Sequence, residues 1–344
     1  MYSAPVAGHR GLSTKIVGYR IAHRIPFPAP RPPSTDHRPI GVTMELNENA
    51  RIDTSQIDDR RGSGGGGGMG IPIPIGGGRG GIVGIVIAVL VALVGGGLGL
   101  NAMTGEEGDN AALEQRCEEA PDALEHLDCR NNLYVNSIQA YWRTALPEAF
   151  GEQYRPTRTV FFDRAVNTAC GSADSGVGPF YCPADSLVYI DLSFYEVLSE
   201  QLGASGEFAQ PYVLAHEYGH HVQNLLGTNE QVRRAQQRDP GAANELSVRL
   251  ELQADCYAGA WAKNATGTAD DRGQKIFTSI TERDIAEAID TAEAIGDDAI
   301  SERANRPVNP DEFTHGSSAD RKRWFNRGYE SGDPATCDTF SGAV

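Results

Sequence analysis

Residues 213–223, "VLAHEYGHHVQ", contain three histidines and one glutamate within six positions, flanked by apolar residues. His216, Glu217 and His220 form the pattern H-E-x-x-H. On a helix, positions i and i+4 lie about 40° apart, so both imidazoles can reach one metal ion. His221 is rotated about 140° from His216 on the same helix. The spacing therefore predicts His216 and His220 as metal ligands and excludes His221.

A third ligand has to come from another part of the chain, because catalytic zinc sites usually have three protein ligands. The best candidate is "NELSVRLELQADCYAGAW", in which Glu251 and Asp255 lie four residues apart among apolar residues. A carboxylate on such a face needs a partner, since an unpaired buried charge is costly. We predict Glu251 as the third ligand and Asp255 as the group that holds the N–H of a ligand histidine. The alternatives are a surface charge at Glu251, or ligation by Glu245, where the helix start suggests a capping role.

Two histidines and one carboxylate predict a single zinc ion per chain that activates a water molecule. Glu217, next to the first ligand, is then the general base of peptide-bond hydrolysis. A further group should face the oxyanion, and "FTHGSSADRKRWFNRGY" offers His315 as the main candidate. The same stretch also offers Arg321, Arg323 and Tyr329, and a plain helix-capping loop is the alternative. The function predicted is a membrane-anchored zinc endopeptidase. The alternative class is a non-catalytic zinc-containing envelope scaffold or binding protein, which would not need Glu217.

The N-terminal third has a different organisation. Residues 1–43 are rich in Pro, Arg and His and are predicted to be disordered, or to be an upstream extension of a chain that starts at Met44. Residues 44–81 are predicted to be a disordered, glycine-rich cytoplasmic tether. The apolar run 82–100 spans roughly 29 Å as a helix, enough to cross a bilayer, with a cleaved signal peptide as the alternative. Arginines before the run and acidic residues after it predict a single-pass protein of the cytoplasmic membrane with its N-terminus inside.

Residues 108–344 have the composition of one globular domain. Apolar periodicity predicts helices at 124–146, ending before Pro147, and at 208–226, 244–264 and 280–295. Alternation predicts strands in "RTVFFD" and "SLVYIDLSFY", and "CGSADSGVGPFYC" between them is predicted as a loop. This order predicts an α+β domain, mainly helical with a small sheet, that follows one transmembrane helix.

Charge restricts the partners. The formal net charge is −16, and beyond residue 81 the chain has twice as many acidic as basic residues. Such a domain repels phosphates, so nucleic-acid binding is excluded. The expected partners are a peptide or protein substrate in the cell envelope and, through one helix, the lipid bilayer.

All six cysteines follow the apolar run, as expected for disulfides formed in an oxidising compartment. Sequence proximity favours two pairs and leaves the third by elimination: Cys117–Cys129, Cys170–Cys182 and Cys256–Cys337. The extracytoplasmic placement of residues 108–344 agrees with this prediction.

Several blocks, in this order, resemble the bacterial family of neutral zinc metallopeptidases: "IDTSQIDDRRG", "TACGSADSGVGPFYCPADSLVYIDLSFY", "AHEYGHHVQ", "ELQADCYAGAW" and "THGSSADRKRWFNRGY". The likeness runs from about Met44 to the C-terminus. It implies a zincin-like fold, in which an edge strand before the metal helix lines the substrate, the position of "SLVYIDLSFY". The pattern H-E-x-x-H…E-x-x-x-D is also similar to that of gluzincin-type peptidases, which implies Glu251 as the third ligand.

Overall fold

The computed structural model describes residues 43–62 and 110–342. The predicted transmembrane helix at 82–100 lies outside the described residues. So do residues 63–81 of the predicted tether and all but the last residue of the segment 1–43 that is predicted to be disordered. Within the described ranges, no helix is long and apolar enough to cross a membrane.

The described residues form an α+β structure that is mainly helical, as predicted. The α-helices are α1 Ala111–Glu114, α2 Leu127–Phe150, α3 Phe194–Glu200, α4 Ala209–Leu225, α5 Thr228–Arg238, α6 Ala243–Asn264, α7 Glu282–Ala294, α8 Asp297–Arg303 and α9 Ser318–Ser331. The strands are β1 Glu45–Leu46, β2 Ile57–Asp59, β3 Thr159–Phe161, β4 Ala165–Thr168, β5 Gly171–Asp174, β6 Phe180–Cys182, β7 Leu187–Ile190 and β8 Phe277–Ser279. The four predicted helices are present as α2, α4, α6 and α7. Helix α2 continues through Pro147 and ends at Phe150, where it is capped by Gly151, whose positive φ of 74° suits a glycine.

The central sheet has the strand order β2-β3-β7-β6. Strands β2, β3 and β7 are parallel, whereas β6 is antiparallel to β7 and forms one edge. The stretch "SLVYIDLSFY" contributes the interior strand β7 and then the start of α3, so its expected role as an edge strand is wrong. The edge belongs to β6, which lies in the stretch predicted as a loop. That stretch also contains β5, which pairs with β4 as a hairpin.

The prediction of a disordered tether is wrong for residues 44–62. Strand β2 pairs in parallel with β3, and β1 pairs with β8 near the other end of the sequence. Met44, Ile52 and Ile57 are buried in the main core, which offsets the entropy of ordering this short segment. The described residues, 43–62 and 110–342, belong to one compact unit.

All three predicted disulfides are confirmed: Cys117–Cys129, Cys170–Cys182 and Cys256–Cys337. The second bridge joins the turn of the β4–β5 hairpin to the edge strand β6. The third bridge ties the C-terminal segment to the middle of α6. No free cysteine is present among the described residues.

Close contacts between three helices position the site. A Cβ at Gly219 of α4 would lie 3.0 Å from the Cα of Ala254 in α6, so the glycine permits these two helices to touch. A Cβ at Gly328 of α9 would lie 1.9 Å from the carbonyl oxygen of Cys256 in α6. Helix α6 therefore packs closely against α4 through Gly219 and against α9 through Gly328.

Candidate metal centre

Three side chains from α4 and α6 meet in one buried cluster, and they are the three predicted ligands. The Nε2 atom of His216 lies 3.2 Å from Oε2 of Glu251 and 3.2 Å from Nε2 of His220. The Nε2 atom of His220 lies 3.5 Å from Oε1 of Glu251. Zinc bonds of about 2.0–2.1 Å at tetrahedral angles separate neighbouring ligand atoms by about 3.3–3.4 Å. The donor spacing therefore fits one zinc ion.

Hydrogen bonds set the tautomer of His216. Its Nδ1 lies 2.8 Å from Oδ1 of Asp255, and a carboxylate accepts, so Nδ1 carries a proton and Nε2 is the ring atom that can bind a metal. Asp255 is itself fully buried and paired with Arg321, whose Nε lies 3.0 Å from Oδ2. The hydroxyl of Tyr212 donates to the same carboxylate at 2.7 Å. Asp255 thus occupies the supporting position that the sequence predicts.

The second imidazole is oriented in the same way by an amide. Nδ1 of His220 lies 2.8 Å from Oε1 of Gln223. The amide nitrogen of Gln223 donates to the carbonyl of Leu250 at 2.7 Å, so its oxygen faces the imidazole as an acceptor. Nδ1 of His220 is therefore protonated and its Nε2 is available to a metal.

The charge balance of the cluster favours a cation. The negative charge of Asp255 is neutralised by Arg321. The ion-pair contacts of the buried Glu251 among the described residues are instead with the imidazoles of His216 and His220. Burial of His216 opposes its charged form, but the carboxylates of Asp255 and Glu251 outweigh burial and raise the pKa of the imidazole to about 10. The same field that holds a proton on the ring would attract a metal ion to the donor atoms.

Glu217 faces the pocket that contains the ligands and is 8% exposed. No described residue donates a hydrogen bond to its carboxylate. Burial raises its pKa above the ordinary value, against the opposing effect of the two ligand imidazoles. A carboxylate in this setting accepts protons readily, as the predicted general base requires.

His315 lies in the segment before α9 and lines the same pocket. Its Nδ1 lies 3.1 Å from Oδ1 of Asp297, and the other oxygen of Asp297 accepts the backbone N–H of His315 at 2.7 Å. The carboxylate thus fixes both the loop and the ring. No described residue forms a hydrogen bond with Nε2 of His315, which leaves this atom for a ligand of the pocket.

His221 points away from the cluster, as its helical position predicts. Its Nε2 donates to the carbonyl of Arg155 at 2.7 Å and its Nδ1 lies 3.1 Å from the hydroxyl of Tyr181. Burial lowers its pKa to about 4, so the ring is neutral. Glu245, the weaker ligand candidate, is exposed and pairs with Arg249 at 2.8 Å.

The pocket beside the cluster has a volume of about 100 Å³. Apolar side chains from separate segments of the chain also line it: Val177, Phe194, Leu202, Val213 and Ile295. The loop before the edge strand β6 contributes Gly178 and Pro179 to the rim.

The sequence did not predict three supporting residues: Tyr212, Gln223 and Asp297. Tyr212 and Gln223 lie one helical turn from a ligand histidine on α4, which is the signal that could have revealed them. Asp297 could not be found in this way, because it lies at the start of α8, eighteen positions before His315, and no helical spacing relates the two residues.

Comparison of the sequence with known protein families identifies the class of protein to which this fold and cluster belong. Residues 46–340 match the model of the family described as "Putative neutral zinc metallopeptidase", and the chain belongs to that family. The match includes the segment 46–62, in agreement with its place in the fold.

Relatives from two bacteria cover most of the chain. The uncharacterized protein Rv2575 of Mycobacterium tuberculosis is 46% identical over 230 residues, which is 66% of this chain and 75% of that protein. The uncharacterized protein YpfJ of Escherichia coli is 39% identical over 296 residues, which is 86% of this chain and 98% of that protein. No solved structure matches the chain.

Proposed function

We propose that the protein is a zinc-dependent endopeptidase that hydrolyses peptide bonds in proteins of the cell envelope. One observation carries the proposal: three donor atoms at tetrahedral spacing share a pocket with Glu217, a buried carboxylate without a hydrogen-bond donor among the described residues. A structural zinc site needs the donors but no such base. The metal helix α4, close to an antiparallel sheet edge, supports the zincin-like fold that the resemblance implies.

In this proposal His216, His220 and Glu251 hold one zinc ion. Zinc there would act as a Lewis acid and lower the pKa of a water molecule to about 7. Asp255 and Gln223 keep both imidazoles in the tautomer that ligation requires.

Glu217 moves the proton. It accepts one proton from the attacking water while the water oxygen forms a bond to the carbonyl carbon. The C–N bond then breaks and Glu217 passes the proton to the leaving nitrogen, so the products are a carboxylate and an amine. Nε2 of His315 would donate to the carbonyl oxygen as negative charge develops on it, which requires the doubly protonated ring, with Asp297 accepting from Nδ1.

The three disulfides support a location outside the cytoplasm, because such bonds persist in oxidising compartments. The same location agrees with a substrate in the envelope.

The test is cleavage of a reduced and alkylated, unfolded protein by the purified zinc-loaded protein. Cleavage should stop with a chelator and return with zinc. Glu217→Gln should keep zinc and lose activity by about 10²-fold or more, whereas the exposed control Glu245→Gln should match wild type. Full activity of zinc-loaded Glu217→Gln would contradict the mechanism, and a zinc-loaded wild type without any cleavage would favour the non-catalytic scaffold.

A further inference from the structure

Residues 43–62 are bound to the rest of the domain at both ends. Near the start of the segment, the backbone N–H of Met44 donates to the carboxylate of Asp284 in α7 at 3.0 Å. Near its end, the guanidinium of Arg61 contacts the carboxylate of Asp128 in α2 at 2.8 Å. Both carboxylates are buried, so removal of the segment would take a partner away from two buried charges.

The middle of the segment belongs to the core and to the central sheet. Ile52 is 5% exposed and Ile57 is fully buried. Strand β2 pairs in parallel with β3 over three residues and forms the edge of the sheet opposite β6. The N–H of Asp53 donates to Asn136 of α2 at 2.8 Å, and the amide of Asn136 donates to the carbonyl of Asp53 at 3.1 Å. Without the segment, β3 would have an unpaired edge and the apolar side chains that cover the core would be lost.

The chain leaves this domain and returns to it at the same strand. The side chain of Asn110, the first described residue after residue 62, accepts the backbone N–H of Asp59 at 2.9 Å. It also donates to the carbonyl of Ile57 at 2.8 Å. Residue 62 follows Asp59 by three positions and lies within about 11 Å of it, the limit set by an extended chain. Both ends of the interval 63–109 are therefore beside β2.

A single membrane crossing within this interval is incompatible with these contacts. The hydrocarbon core of a bilayer is about 30 Å thick, whereas Asn110 and β2 are in direct hydrogen-bond contact. A second copy of the chain could not supply β2 instead, because its own segment 43–62 would lie on the same side as that of the first copy. Cleavage of a signal peptide after the run 82–100 would likewise separate β2 from the domain.

We infer that residues 43–62 and 110–342 are two parts of one domain and lie on the same side of the membrane. The apolar run 82–100 then belongs to an insertion within that domain and does not precede the domain as a leader or single crossing. The predicted cytoplasmic location of residues 44–62 is replaced by the location of the domain. This topology does not depend on the chemistry of the metal centre, so a failure of the proposed peptidase activity would leave it in place.

Cysteine labelling of the full chain in spheroplasts tests the shared side. All six cysteines of the chain are paired in disulfides, so the unsubstituted protein should not react with a maleimide. Glu48→Cys and Glu302→Cys place one thiol in each part of the domain, both at exposed positions. A membrane-impermeant maleimide should label both variants to the same extent before permeabilisation.

The pattern of labelling separates the possible topologies. Labelling of Glu302→Cys in intact spheroplasts, with Glu48→Cys labelled only after permeabilisation, would overturn the inference. Labelling of both variants only after permeabilisation would support the shared side and contradict the extracytoplasmic location.

Urea unfolding of the purified full chain tests whether the two parts form one domain. All three tryptophans lie in 110–342, so their fluorescence reports the unfolding of that part alone. Ile57→Ala, in the other part, should nevertheless lower the unfolding midpoint by about 1 M, because it leaves a cavity in the shared core. The control Val308→Ala removes an apolar side chain that is 42% exposed, and it should leave the midpoint unchanged. An unchanged midpoint for Ile57→Ala would overturn the inference.

Discussion

Asp255→Asn should destabilise the fold even in the absence of metal. The carboxylate is fully buried and its partner Arg321 is 2% exposed at the side chain, with Nε–Oδ2 and Nη2–Oδ1 distances of 3.0 Å. An amide keeps the shape of the side chain but leaves the guanidinium as an uncompensated buried charge. It also weakens the hydrogen bond that orients His216.

The size of the effect follows from this burial. Removing one partner of a buried ion pair costs about 3–5 kcal/mol. Taking a urea m-value of about 3 kcal/mol/M, the unfolding midpoint should fall by about 1–1.7 M. Replacing both partners is far less costly, so Asp255→Asn/Arg321→Met should recover more than half of the loss.

The assay is urea unfolding of the chelator-treated protein at neutral pH, followed by circular dichroism. Asp290→Asn is the matched control, because Asp290 is exposed on α7 and the charge change is the same. The control should stay within about 0.5 kcal/mol of wild type. A loss below about 1 kcal/mol for Asp255→Asn would refute the idea that this ion pair is an essential part of the buried network.

Three further changes have defined outcomes. Burial would raise the pKa of Asp128, but the hydrogen bond and positive charge of Arg61 outweigh it and lower the pKa. The ionised carboxylate therefore stabilises the fold at pH values above its unfolded pKa near 4. This stabilisation is lost as the pH falls through the pKa of the folded state. In urea unfolding, Asp128→Asn should therefore be less stable than wild type at pH 7, and the gap should narrow below about pH 4; a gap independent of pH would contradict this. Gly328→Ala should destabilise by about 3 kcal/mol or more, because the new Cβ meets backbone, whereas Gly267→Ala, with open space, should be tolerated. Gln223→Ala should weaken zinc binding about 10- to 100-fold in a chelator competition, and unchanged affinity would remove its role in orienting the imidazole.

The metal cluster was predictable because helical geometry relates its members in two pairs. The i,i+4 spacing puts His216 beside His220, and the same spacing puts Glu251 beside Asp255 on a second apolar face. Only the contact between these two helix faces depends on tertiary structure. That contact could still be inferred, because a buried carboxylate such as Glu251 is costly without a partner.

The N-terminal segment was not predictable in the same way. Met44, Ile52 and Ile57 follow neither a helical nor a strand period, and the glycine run that follows them is typical of a linker. Their burial comes from pairing with strands more than a hundred residues away. For the same reason the edge of the sheet was misassigned: β6 is short and lies within a Gly/Ser/Pro-rich stretch, so local composition hides it.

The central claim is that His216, His220 and Glu251 hold one zinc ion. X-ray absorption at the zinc edge of the purified protein tests it most directly. We expect one zinc per chain, with two imidazole nitrogens and carboxylate or water oxygen at about 2.0–2.1 Å and no sulfur, and the loss of this site in Glu251→Ala. A sulfur shell at about 2.3 Å, or an unchanged zinc site in Glu251→Ala, would contradict it.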